Sequence, residues 1–201
     1  NLGVVATGSQ VRNLLSDCAA GKVKTLFIDD LDLDFNLPVD AGVSDALSKV
    51  ETLVVLAASL PQGMPENAIL LPTSSALESW GDAEPVHGVH HLQQPAMAVR
   101  NDTQSVGDIV LGIAKAANLA TPTIAAETNP DGTPVEGDDI LPASTMLGTK
   151  KAIATFEAPD FHHYVAGRWF ADIYSGQGSF SRWWNKSLQI GGSTTDASTV
   201  G

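Results

Sequence analysis

Carboxylates near residue 30 are the side chains of this sequence best suited to chemistry. Four of them stand close together: Asp29, Asp30, Asp32 and Asp34. Such groups bind hard cations, particularly where they follow a strand. An EF-hand loop starting at Asp30 is excluded, because Phe35 occupies the position that needs Gly and Ala41 the position that needs Glu. The run therefore predicts either a ligand contact or a solvated acidic loop.

The histidines form two adjacent pairs and one single residue. They are His87, His90, His91, His162 and His163. Neighbouring side chains on a strand or helix point in divergent directions, so each pair is predicted to make a poor chelate. Glu84 with His87 and His90 is a weaker hypothesis for a metal group. Surface histidines without a ligand are the simpler interpretation, and no metal site is predicted.

The common catalytic motifs are missing from the sequence. There is no GxGxxG, GxxxxGK[ST], HExxH or GxSxG pattern, and Ser74, Ser75 and Ser79 lack His and Asp companions at motif spacing. The single cysteine, Cys18, excludes an internal disulfide and a cysteine-ligated iron–sulfur cluster within these residues. Its place on an apolar helical stripe predicts core packing. No catalytic residue is predicted.

The charge of the chain limits its partners. A formal net charge of −12 argues against a nucleic-acid groove or a contact with an anionic membrane face, because both need clustered Lys and Arg. No apolar run approaches the roughly 20 residues that span a bilayer. We therefore expect neither a nucleic-acid partner nor direct membrane insertion.

The elements that would position these residues follow a βαβ rhythm. Apolar periodicity predicts helices over 9–20 and 43–50, and short apolar runs predict buried strands over 23–28, 52–57 and 68–71. This order predicts an α/β fold with a Rossmann-like open, mostly parallel sheet and flanking helices. Ligands bind such sheets beyond the carboxyl ends of the strands. The loops at those ends are 29–38, 58–66 and 72–81.

The remainder of the chain is predicted to be a loop-rich connection and two helices. An extended segment over 89–93 and a helix over 105–117 come first. The predicted domains are a Rossmann-like α/β domain over 1–120, an irregular connection over 121–158, and a helical linker with a flexible tail over 159–201. Helices over 159–173 and 179–190 carry Trp169, Trp183 and Trp184. Their aromatic faces indicate either a docking surface for a partner or closure of the domain's own core.

Three segments together resemble one known family. They are ILLPTSSALESWGDAEP at 69–85 with Gly88, Val89 and LQQP at 92–95, GKVKTLFI at 21–28, and the stretch 161–192 with Trp169, Phe180 and Trp184. They resemble large subunits of the molybdopterin oxidoreductase (dimethyl sulfoxide reductase) superfamily, in the quinol-linked branch of polysulfide-reductase-like and alternative complex III subunits. The resemblance covers most of the chain. It covers only one region of the family's proteins, which are several times longer.

The resemblance implies a role in holding a cofactor. In that family the region helps to bind molybdopterin guanine dinucleotide, with molybdenum or tungsten. The implied partners are the remainder of the parent large subunit and its iron–sulfur and membrane subunits, on the periplasmic side. As a fragment of an oxidoreductase, the chain would not be active alone. With strand-end geometry, the resemblance implies these cofactor-binding residues: Asp29, Asp30, Ser59, Thr73, Ser74 and Glu78, with Asp30 or Glu78 available to the guanine edge.

Two other functions remain open. The family's G-x-N-P turn after the first strand is replaced here by Asp29-Asp30-Leu31-Asp32, and carboxylates repel a pyrophosphate. A cofactor-free structural or protein-interaction domain of such a complex is therefore one alternative. The other is a magnesium-dependent phosphotransferase of the haloacid dehalogenase type, in which Asp30 and Asp32 form the DxD and Asp138 and Asp139 a distal acidic pair.

Overall fold

The computed structural model describes residues 6–31, 33–38, 41–121, 123–127, 153–174 and 180–195. The chain divides into two compact units. The first consists of residues 1–74 with 100–104, and the second of 75–99 with 105–201. This division does not coincide with the predicted boundary at residue 120. One reason is that residues 89–91 pair with residues 192–194 in the second unit.

The first unit contains a three-stranded parallel sheet. Its elements are α1 (Gly8–Ala19), β1 (Thr25–Asp29), α2 (Leu33–Asn36), α3 (Val43–Leu47), β2 (Thr52–Ala57) and β3 (Ile69–Pro72). The strand order is β1-β2-β3, with Thr25 opposite Thr52 and Val54 opposite Ile69. The predicted helices and parallel strands of this part are confirmed, whereas α2 was not predicted.

Apolar periodicity explains why this unit folds as it does. Thr7 and Gln10 form a capping box at the start of α1. Five of the six residues of β2 are buried, as expected of the central strand of a parallel sheet. Cys18 is fully buried with Leu15, Leu47 and Leu53, so the prediction that it packs in the core is confirmed.

The second unit is built on antiparallel pairing. Its elements are β4 (Gly81–Val86), β5 (Val89–Gln93), α4 (Val106–Ala116), β6 (Thr123–Glu127), β7 (Ile153–Glu157), α5 (Phe161–Asp172), α6 (Phe180–Ile190) and β8 (Gly192–Thr194). One sheet has the order β4-β5-β8, and β6 pairs with β7 in another. The coarse fold is thus mixed α/β, with a parallel sheet and separate antiparallel sheets.

The described residues include strands at two places where the sequence predicted irregular structure. The irregular connection predicted over 121–158 contains strands at both of its ends, because β6 and β7 satisfy each other's backbone groups. The tail predicted to be flexible begins with β8, which pairs with β5 through His90 opposite Ser193. The remaining residues of the connection and tail, 128–152 and 196–201, lie outside the described residues.

The aromatic residues of α5 and α6 form the core of the second unit. Trp169, Phe170, Phe180 and Trp184 are all at most 2% exposed. Trp80 and Trp183 are partly buried and pack against them. Of the two interpretations of these aromatic faces, closure of the unit's own core therefore fits the structure. Within the described residues, no helix combines the length and apolarity needed to cross a bilayer.

Candidate functional site

The carboxyl ends of the three parallel strands form one edge of the first unit. Asp29 at the end of β1 lies opposite Leu56, and Ala57 at the end of β2 lies opposite Pro72. Because these ends are level, the residues that follow them share this edge. Five of the predicted cofactor-binding residues stand here: Asp29, Asp30, Ser59, Thr73 and Ser74. We refer to these five residues as the strand-end edge.

The strand-end edge presents acceptors to solvent. Asp29, Asp30 and Ser59 are exposed, and Thr73 and Ser74 are partly buried. Asp30 has a backbone φ of 45°, a left-handed conformation that Asp tolerates better than most residues do. A carboxylate accepts hydrogen bonds and donates none when ionised. The exposed part of this edge therefore suits a ligand face that carries N–H donors.

Three backbone amides of the strand-end edge are already bonded inside the unit. The Asp30 amide donates to the Leu56 carbonyl at 2.8 Å, and the Thr73 amide to the Ala57 carbonyl at 3.1 Å. The Ser74 amide donates to the Gln104 carbonyl at 2.9 Å. These donors extend the ladder instead of pointing at a ligand. A pyrophosphate, which needs several free N–H groups, would not find them at these positions.

The segment 100–104 adds two residues that the sequence did not predict to lie at this edge. Gln104 forms a parallel bridge with Thr73, and the Thr103 hydroxyl lies 3.0 Å from the Ser74 hydroxyl. The only signal in the sequence was the polar run that precedes α4, which reads as a helix start. Residues 100–104 lie beside the parallel sheet because of a tertiary contact, which the sequence pattern does not indicate.

Glu78, the sixth predicted cofactor-binding residue, is not part of the first unit. It lies in the second unit, in a 3₁₀ turn over Ala76–Glu78. Its carboxylate accepts hydrogen bonds from the Ser75 amide and hydroxyl, each at 3.1 Å. Glu78 thus caps the turn in which it stands, which is a structural use of its charge.

The described strands do not reverse their order. β1, β2 and β3 lie side by side in sequence order, whereas the ligand crevice of a doubly wound sheet forms where the order reverses. Asp32, Asp138 and Asp139, which the phosphotransferase alternative needs, lie outside the described residues. A cavity of about 850 Å³ between α1 and α3 is lined by Val11, Leu15, Leu37 and Ala46, and by none of the strand-end residues.

A second group of chemically competent side chains lies at the start of α5. Asp160 is the N-cap residue, and its Oδ1 accepts from the His163 amide at 2.9 Å. The same oxygen lies 2.6 Å from His163 Nδ1. One ligand atom each from Asp160, His162 and His163 lie within 4.8 Å of one another, the one such group found among the described residues. We call these three residues the α5 cluster.

The α5 cluster differs from what the sequence predicted for adjacent histidines. His162 and His163 do diverge, with ring centres 5.6 Å apart, but the N-cap carboxylate lies close to both. His162 is stacked on Trp80, with ring centres 3.8 Å apart and planes inclined by 10°. Burial lowers the pKa of His162, and the charge of His163 lowers it further, while Asp160 and Asp108 act in the opposite direction.

The other predicted metal group does not assemble in the described structure. Glu84 Oε1 lies 3.2 Å from His87 Nδ1 and accepts from the Gly88 amide at 2.8 Å. His90 Nε2 lies instead 3.4 Å from the Thr195 hydroxyl, and its ring meets the edge of Trp169. The amide of Gly88 is the main cause that lowers the pKa of Glu84; burial opposes it, and the charges of His90 and His87 add to it.

No protein-family profile matches this chain, and no curated protein sequence matches it. The strand-end edge offers acceptors for a donor-rich ligand. The α5 cluster offers two imidazoles and a carboxylate.

Proposed function

We propose that the chain is the Rossmann-like α/β region of a large subunit of the molybdopterin oxidoreductase superfamily, and that its strand-end edge binds the guanine end of molybdopterin guanine dinucleotide. The observation that supports this is that Asp29, Asp30 and Thr73 lie at the carboxyl ends of adjacent parallel strands, with Ser59 just beyond the end of the central strand. In sheets of this kind, ligands bind beyond the carboxyl ends of the strands.

Hydrogen-bond chemistry favours the guanine base over the pyrophosphate as the part that this edge contacts. Guanine carries N1–H and 2-amino donors side by side, and a carboxylate can accept both. The same carboxylates repel phosphate. Since the amides of Asp30, Thr73 and Ser74 are bonded within the unit, the proposal assigns Asp30 to the guanine edge and leaves the pyrophosphate outside these loops.

In the parent protein this region would hold one pterin without performing redox chemistry. The metal ligand, the iron–sulfur cysteines and the rest of the pterin site belong to the remainder of the large subunit. Iron–sulfur and membrane subunits complete the proposed assembly, on the periplasmic side. The chain alone is therefore proposed to bind guanine compounds and to catalyse nothing.

A titration with nucleosides tests the guanine contact. The 201-residue chain is titrated with guanosine, with inosine, which lacks the 2-amino group, and with adenosine. We expect guanosine to bind most tightly and GMP no more tightly than guanosine, because the amides of Asp30, Thr73 and Ser74 are already bonded and the carboxylates of this edge repel a phosphate. Asp30→Asn should weaken guanosine binding by roughly tenfold or more, the loss of a hydrogen bond to a charged group. Asn tolerates the left-handed backbone of Asp30.

The matched control for Asp30 is Asp17. It is exposed, lies in the same unit and pairs with Lys22 at 2.8 Å, so Asp17→Asn changes the net charge by the same amount away from the strand-end edge. Guanosine affinity equal to that of adenosine, or equal effects of the two substitutions, would overturn the proposal.

Two observations favour a second candidate, a cofactor-free scaffold within the same kind of complex. The bonded amides and the unreversed strand order both reduce the space and the donors for a dinucleotide. Under this candidate the titration shows no preference among nucleosides. The magnesium-dependent phosphotransferase stays a prediction that a phosphatase assay with Mg²⁺ would test.

A further inference from the structure

Three side chains of types that can bind metals lie close together at the start of α5. We infer that Asp160, His162 and His163 bind a divalent transition-metal cation of the Zn²⁺ type. Their ligand atoms lie within 4.8 Å of one another. This inference concerns the second unit, whereas the proposed guanine contact concerns the first, so neither depends on the other.

An unpaired nitrogen at His162 is the second observation that points to a ligand. His162 Nε2 is enclosed by protein and has no hydrogen-bond partner among the described residues. Buried polar atoms in native proteins nearly always have a partner, and an exception calls for an unseen water or ion. A neutral imidazole nitrogen is a good ligand for a transition metal. A cation bound through Nε2 would give that nitrogen the partner that the described residues do not supply.

The types of ligand decide which cation fits. Two imidazoles and one carboxylate suit Zn²⁺, Co²⁺, Ni²⁺ or Cu²⁺, whereas Mg²⁺ and Ca²⁺ prefer oxygen ligands throughout. The Asp160 side chain is 46% exposed and that of His163 28% exposed, so a cation can reach them from solvent. Three protein ligands leave a coordination position for water.

Binding requires a small movement of Asp160. Its Oδ1 is 2.6 Å from His163 Nδ1, whereas neighbouring ligands of a tetrahedral zinc lie roughly 3.4 Å apart, given bonds of about 2.0–2.2 Å. The pair must therefore separate by roughly 0.8 Å, and Nδ1 of His163 must carry no proton when it binds the cation. A carboxylate has two oxygens, so one can continue to cap the His163 amide while the other meets the cation.

Trp80 holds His162 in place. The indole and imidazole rings are stacked at 3.8 Å, and Trp80 in turn lies against Trp184 at 6.4 Å. The ring of His162 is therefore anchored by the aromatic core before any cation arrives. An anchored ligand loses little freedom on binding, and such preorganisation favours affinity.

The experiment is a titration of the metal-free 201-residue chain with Zn²⁺ by calorimetry. Co²⁺ is used in parallel because its visible absorption reports nitrogen and oxygen ligation. We expect one Zn²⁺ site and no comparable Mg²⁺ binding. Three variants each remove one ligand and keep the local fold: Asp160→Asn retains an N-cap, His162→Phe retains a ring against Trp80, and His163→Gln retains a polar side chain. Each should weaken Zn²⁺ binding by roughly 10- to 100-fold.

The matched control is His87→Ala. His87 also pairs with a carboxylate three residues away, Glu84 at 3.2 Å, but it has no third ligand in the groups found. This variant should bind Zn²⁺ as the unaltered chain does. Histidine ring signals in NMR spectra of the unaltered chain provide a second measurement that needs no substitution, and Zn²⁺ should shift those of His162 and His163 first.

Two results would overturn the inference. One is Zn²⁺ binding that His87→Ala weakens as much as the three cluster variants do. The other is NMR signals of His162 and His163 that Zn²⁺ leaves unchanged. Loss of the site in the three folded variants, with His87→Ala unaffected, would establish it.

Discussion

Two buried tryptophans of the second unit, Trp169 and Trp184, differ in whether the indole nitrogen has a hydrogen-bond partner among the described residues. Trp169 Nε1 donates to Asp82 Oδ2 at 2.9 Å, whereas Trp184 Nε1 is buried without a partner among the described residues. We predict that Trp169→Phe lowers the free energy of unfolding by about 1–3 kcal/mol more than Trp184→Phe does, because only the first removes a hydrogen bond to a carboxylate. Urea unfolding of both variants measures the difference.

The comparison between the two indoles is well matched. Both rings are at most 2% exposed, so each substitution removes a similar buried volume from one core. After Trp169→Phe, Asp82 keeps Arg168 Nη2 at 3.4 Å. Equal losses of stability in the two variants would show that the Asp82 hydrogen bond contributes nothing net.

Glu84 is a residue whose acidity the structure changes. The Gly88 amide is the principal cause that lowers its pKa, so we predict that NMR titration finds the pKa below the ordinary value of about 4.3 and that His87→Ala leaves it lowered. A folded pKa below the unfolded one means that the contribution to stability is present above the unfolded pKa and is lost as pH falls through the folded pKa. A return to the ordinary value in His87→Ala would contradict this cause.

Residue types alone predicted part of this detail. The burial of Cys18 followed from its position on an apolar stripe, because helical period and side-chain type agree there. The α5 cluster was not predicted from the sequence, because it depends on the carboxylate of Asp160, which accepts a hydrogen bond from the His163 amide. Glu78 was predicted to contact a ligand; its spacing from Ser75 also fits a capping box, and that local contact is formed.

At the scale of elements, two glycines of α4 have opposite surroundings. A Cβ on Gly112 would meet nothing within 4 Å, whereas a Cβ on Gly107 would overlap the ring of Phe161. We predict that Gly112→Ala stabilises the second unit by about 0.5–1 kcal/mol through helix propensity. Gly107→Ala should be about 1–3 kcal/mol less stable than Gly112→Ala, the usual effect of overpacking.

Thermal or urea unfolding of the two alanine variants measures that difference directly. Both substitutions add one methyl group within the same helix, so the gain in helix propensity cancels between them. Phe161 is held by its amide, which donates to Asp108 Oδ1 at 2.9 Å, and this limits how far its ring can retreat. Equal stabilities of the two variants would mean that the ring of Phe161 can move away from residue 107 without lowering the free energy of unfolding.

Elements with a strong apolar period were predicted well, and short polar ones were not. Four predicted helices each match an observed helix, because the spacing of apolar residues indicates which face of each helix is buried. Their predicted ranges are 9–20, 105–117, 159–173 and 179–190. β8 has no such signal. Its Gly192 packs so closely on the backbone of His90 that a Cβ would overlap it, and the partner strand lies about a hundred residues earlier in the chain.

At the scale of the whole molecule, the proposed guanine site and the proposed metal site belong to different units. Guanine recognition is assigned to the strand-end edge of the first unit, and the metal cation to the start of α5 in the second. The parallel sheet was predictable from the βαβ rhythm. The pairings of β5 with β8 and of β6 with β7, and the assignment of residues 100–104 to the first unit, were not, because they depend on contacts between residues distant in sequence.

The measurement that tests the central claim most directly is an NMR titration of the chain with guanosine and, in parallel, with adenosine. The account predicts that guanosine shifts the signals of Asp29, Asp30 and Ser59 at concentrations where adenosine leaves them unchanged, and that Asp30→Asn abolishes this preference. Signals of the strand-end edge that respond to neither nucleoside, or equally to both, would contradict guanine binding.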